Sequence, residues 1–68
     1  MKLEDIKAGM KVKVKVGDFT SQYFINFGRI KNTCGNVITV SNIVDYGINK
    51  VLCANGLFYH EEQLEEAL

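Results

Sequence analysis

Seven consecutive residues, Met10-Lys11-Val12-Lys13-Val14-Lys15-Val16, alternate between apolar and cationic. Side chains on a strand point alternately to opposite faces. The run therefore predicts a β-strand with Met10, Val12, Val14 and Val16 on a dry face and Lys11, Lys13 and Lys15 on a wet, positive one. A helix would scatter the lysines around its circumference, so this segment commits the chain to a sheet with one solvated side.

The rest of the chain must complete that sheet from little material. Its 68 residues allow one domain. A domain of this size buries only about 60% of its unfolded surface, so its core is thin. Hydrophobic residues make up 47% of the chain, enough for one core and too many for a disordered tail.

Glycine and asparagine divide the chain into short elements. Leu3 to Gly9 reads as a helical turn or lead-in arm, with Leu3 and Ile6 on one side. Strand one covers Met10 to Val16. Gly17 to Asn26 reads as a loop carrying Phe19, Tyr23 and Phe24. Phe27 to Lys31 is read as strand two, Asn32 to Asn36 as a turn, and Val37 to Ser41 as strand three, rich in β-branched residues. Strands two and three are then expected to pair as a hairpin across Cys34-Gly35-Asn36. Strand four covers Lys50 to Ala54. Asn55-Gly56 suits a two-residue type I′ turn into a return strand, Leu57 to His60. The last eight residues have helix-forming composition but are too few for a stable helix. Leu64 and Leu68 either pin a single turn to the core or lie on a closing strand beside strand one.

The segments Ala8-Gly9-Met10-Lys11-Val12-Lys13-Val14, Gly28-Arg29-Ile30, Val37-Ile38-Thr39-Val40 and Gly56 to Glu65 together resemble a Src-homology-three-like small barrel of the type found in short bacterial and phage proteins. In such barrels a glycine leads into strand one, and a helical turn with a closing leucine follows a late hydrophobic strand. The resemblance implies an all-β fold: a small five-stranded barrel or β-roll with one short helical turn near the C-terminus. The chain has no tryptophan, unlike the signalling members that bind proline-rich peptides.

Catalytic and metal chemistry find little footing. Cys34, Cys53 and His60 are the only soft ligands, whereas a structural zinc site takes four, usually in close pairs. There is no Cys-x-x-Cys, no activated nucleophile and no glycine-rich phosphate loop. Cys53 reads as a small buried hydrophobe and Cys34 as an exposed, oxidisable turn residue. His60 reads as the end of a strand, with Glu61 and Glu62 opening a turn where acids suit a helix N-terminus. No enzyme, metal or cofactor is expected.

The net charge is zero, but it is divided. Residues 1–31 carry seven Lys or Arg against three acids, and residues 32–68 carry one Lys against five. The expected binding surface is Lys11, Lys13, Lys15, Tyr23, Phe24 and Arg29. A chain without positive excess is a poor phosphate binder, so a protein partner is expected. Single-stranded RNA or DNA held by the same basic-aromatic face is the second reading. Self-assembly through an unpaired strand edge is the third. No segment approaches the roughly 20 apolar residues of a membrane span, and no apolar run follows Met1-Lys2, so a cytoplasmic protein without a membrane partner is expected.

Overall fold

The alternating strand forms, at Lys11–Val14 (β1), in a computed structural model that describes residues 1–16, 27–45 and 47–67. Val12 and Val14 are fully buried and Lys11 is exposed. Four further strands complete the sheet: Val37–Ile43 (β2), Val51–Cys53 (β3), Phe58–Tyr59 (β4) and Leu64–Glu66 (β5). All pairings are antiparallel, and the order across the sheet is β4-β3-β2-β1-β5. The chain is thus mostly sheet, as expected, but the five-stranded sheet is not closed: β4 and β5 are its two edges. The C-terminal strand lies beside β1, so β1 is an interior strand.

The longest strand, β2, joins the two halves of the sheet. Val37 to Thr39 pair with β1, while Val40, Asn42 and Ile43 pair with β3. A register shift falls between Val40 and Asn42. Simple alternation from Ile38 and Val40 would put Asn42 in the core and Ile43 outside. One extra residue at the bulge reverses this, so Ile43 packs against the core and Asn42 stays exposed.

The core gathers Val12, Val14, Val40, Val51, Cys53, Tyr59 and Leu64 from the sheet, with Ile6, Ile30 and Leu57 from outside it. A 3-10 turn at Leu3–Asp5 brings Ile6 in. This arm is tied to the other end of the chain: the Met1 ammonium donates to Leu64 O at 2.8 Å, and the Leu3 amide donates to Glu61 Oε2 at 2.9 Å. The helical composition of residues 61–68 appears only as a second 3-10 turn, Glu61–Gln63, which leads directly into β5.

Three expectations are corrected. Phe27–Thr33 is an α-helix (α1), not strand two. Ile30 on α1 is buried in the core, and Gly35 takes a φ of +84° just beyond the helix, a left-handed conformation that suits a helix end. The hairpin across Cys34-Gly35-Asn36 is therefore absent. Instead, the Gly35 amide donates to Val14 O at 2.8 Å and the Val14 amide to Asn36 O at 2.9 Å, so this turn starts the β1–β2 pairing. Second, Val16 lies beyond the end of β1 and is 79% exposed, not on the dry face. Third, the β3–β4 turn is one residue longer than a type I′ pair. Cys53 and Leu57 close a three-residue loop, Ala54-Asn55-Gly56, with the Gly56 amide bonded to Cys53 O at 2.9 Å and Gly56 at φ +83°. A turn followed by one left-handed residue is the usual three-residue hairpin solution.

Candidate functional site

Because residues paired across an antiparallel ladder share a face, the register of β1 defines what surrounds its lysines. Lys13 pairs with Val37 on β2 and with Glu65 on β5. The outer face thus carries a row Val37–Lys13–Glu65, running apolar, cationic, anionic across three strands. Lys11 pairs with Thr39 in the adjacent row. Lys15 follows the end of the strand, its amide donating to Gln63 O at 2.8 Å. Lys11 is exposed, Lys13, Lys15 and Glu65 are half-buried, and Val37 is 56% exposed, one of the largest apolar exposures among the described residues. By register, Glu65 is the oppositely charged cross-strand neighbour of Lys13 on this face.

Lys11 and Lys13, two apart on β1, share one face, and Lys15 lies just past the end of the strand. Arg29 is exposed on a different element, α1. Tyr23 and Phe24 lie outside the described residues. The edge strand on this side is β5, whose Glu65 and Glu66 supply the charge that discourages edge pairing.

Elsewhere the polar groups are largely committed to the fold. His60 caps the second 3-10 turn: its Nδ1 accepts from the Glu62 amide at 3.0 Å, while its own amide donates to the Gln63 Oε1 at 2.7 Å. This reciprocal box fits the sequence reading of His60 as a strand end before an acidic turn. Cys53 is buried, and desolvation pushes its thiol up from 9.0 to about 11. Cys34 differs from expectation. It is half-buried against the core, and its Sγ donates to Ile30 O at 3.7 Å. Among the described residues no three His, Cys, Asp or Glu side chains are grouped as a metal site requires. An open cleft of about 520 Å³ is lined by Lys2, Leu3, Glu4 and Glu61, and the Glu61 carboxylate there already accepts from Leu3.

One polar network was not anticipated. The buried Tyr59 hydroxyl receives a hydrogen bond from Asn55 Nδ2 at 3.0 Å and lies 2.8 Å from Thr33 Oγ1. Thr33 spends its only proton on Ile30 O at 2.7 Å, so Tyr59 must donate to Thr33. The relay runs Asn55 to Tyr59 to Thr33 to Ile30 O and ties the hairpin tip to the last turn of α1. It also satisfies a carbonyl that a helix end leaves without an intrahelical partner. The available signal was the tyrosine itself, since a buried phenol needs a hydrogen-bond partner. Asn49 and Gln63 are likewise fully buried polar side chains on which sequence pattern is silent.

No family model, no curated protein and no solved structure matches this chain. Among the described residues no helix is long and apolar enough to cross a membrane.

Proposed function

We propose that the chain is a non-enzymatic binding module of the Src-homology-three-like type, and that it binds another protein through the outer face of β1. The observation that carries this reading is the row Val37–Lys13–Glu65. A phosphate-binding face gains its affinity from cations that displace counterions, and an interposed carboxylate works against that. A face that sets an exposed valine, an ammonium and a carboxylate side by side has the mixed composition of a protein contact, with charge setting register and apolar area supplying affinity. The barrel reading is supported by the 3-10 turn between β4 and β5, by Leu64 closing the core directly after it, and by the return of β5 to β1.

Affinity capture from a lysate of the encoding organism, with and without nuclease, tests this. One protein recovered regardless of nuclease, and lost with Val37→Asp and Lys13→Glu, supports the reading. Recovery of nucleic acid that washes off with moderate salt overturns it in favour of the single-strand reading. Capture that is indifferent to both substitutions places the contact elsewhere and overturns the assignment of the face.

A further inference from the structure

Of the six asparagines in the chain, only Asn55 precedes a glycine. Asn-Gly is the sequence most prone to cyclise, because glycine has no side chain to obstruct attack by its backbone nitrogen and the local backbone moves freely. The Gly56 nitrogen attacks Cγ of Asn55, a C–N bond forms, and the Cγ–Nδ2 bond breaks. Ammonia leaves, taking up the proton lost by the Gly56 amide. Water then opens the resulting succinimide, giving aspartate when the Cγ–N bond breaks and isoaspartate when the backbone C–N bond breaks. The only co-reactant is water.

In the fold every group this reaction needs is engaged. The nucleophilic Gly56 amide donates to Cys53 O at 2.9 Å. Asn55 Oδ1 accepts from the Leu57 amide at 3.1 Å, and the departing Nδ2 donates to Tyr59 Oη at 3.0 Å. Ring closure must break this set and turn the side chain away from a buried tyrosine. We propose that Asn55 is a masked deamidation site: the closed β3–β4 hairpin holds it unreactive, and opening of the hairpin converts it irreversibly to an acidic residue that uncouples α1 from β4.

The uncoupling follows from proton bookkeeping along the relay. Tyr59 has one proton and gives it to Thr33 while receiving one from Asn55. A carboxylate at position 55 cannot donate, and it accepts more strongly than a threonine hydroxyl. The tyrosine proton turns towards the carboxylate, and Thr33 Oγ1 loses its donor. Isoaspartate adds a further insult, since it lengthens the backbone of a three-residue loop whose register depends on Gly56.

The test is peptide mapping by mass spectrometry during incubation at mildly alkaline pH. The folded protein is compared with the same chain in urea. Conversion at Asn55 is expected to be at least about ten-fold slower in the folded chain, since reaction there must wait for local opening. Equal rates overturn the masking. The variant Asn55→Asp reproduces one product, and its Asn36 amide, which bonds Thr33 O beyond α1, is expected to exchange with solvent faster while the Lys15 amide does not. Unchanged exchange at Asn36 overturns the uncoupling. Should Asn55→Asp fail to fold, Tyr59→Phe removes the acceptor that restrains Nδ2 and is expected to accelerate conversion in the folded chain, and an unchanged rate counts against the proposal.

Discussion

Lys11–Val14 is a four-residue interior strand, whereas Phe27–Thr33 is a seven-residue helix. In the first, the chemistry of successive side chains is so divided that only a two-faced strand can bury the valines and wet the lysines. In the second, Phe27-Gly28-Arg29-Ile30-Lys31 offers no such contrast, and local propensity is indecisive. What decides it is tertiary: Ile30 enters the core, Thr33 bonds to Tyr59, and Gly35 ends the helix at φ +84°. A strand can be specified by its own sequence when its two faces differ sharply. A seven-residue helix is specified by what it docks against, because so short a helix is not stable alone.

The largest expected effect breaks that docking. Ile30→Ala should cost about 2–5 kcal/mol in urea unfolding, as for other buried isoleucines, and a loss well below this range would mean that α1 is not held by the core. Tyr59→Phe keeps the ring but removes the acceptor of Asn55 Nδ2 and the donor to Thr33 Oγ1, and the expected cost is about 1–3 kcal/mol. Combined with Thr33→Val, it should cost less than the sum of the two single changes, because both act on one relay. Gly35→Ala forces a side chain into a left-handed backbone and should cost about 1–2 kcal/mol, although the space around its Cβ is adequate. His60→Ala removes the cap of the second 3-10 turn for about 1 kcal/mol, read by faster exchange at the Glu62 amide.

The smallest effect at neutral pH concerns Cys53. Its thiol ionises near 9.0 when unfolded and about 11 when folded, so the unfolded chain releases its proton first. Its contribution to stability is complete below pH 9 and is lost as pH rises towards and past about 11. The Cys53→Ala variant should lack this component of the alkaline decline. In native alkylation, the half-buried Cys34 should react well before Cys53.

How much was legible follows from these same residues. The Met10–Val16 alternation located β1 and its wet face, missing only that pairing stops before Val16. Val37 to Ser41 and Asn55-Gly56 located β2 and the β3–β4 hairpin because β-branched runs and asparagine–glycine pairs act locally. The helical spacing of Phe27, Ile30 and Cys34, followed by Gly35, was present in the sequence but competed with a plausible strand beside a turn-rich segment. The bulge in β2 was hidden because nothing in Val40-Ser41-Asn42 demands it; it is required only once Ile43 has to face inwards. At the candidate face, alternation put Lys11 and Lys13 together. Their acidic neighbour Glu65 lies 52 positions from Lys13, and sequence pattern does not set a register at that distance.

That register carries the functional account, and a direct measurement is the fluorescence anisotropy of a labelled single-stranded oligothymidine titrated with the protein at increasing salt. If the Val37–Lys13–Glu65 row is a protein-contact face, no saturable binding is expected at physiological ionic strength, and Glu65→Lys should be needed to create it. Saturable binding by the unmodified chain that falls steeply with salt and is lost in Lys13→Glu would contradict the account, and would make the lysine stripe a nucleic-acid site.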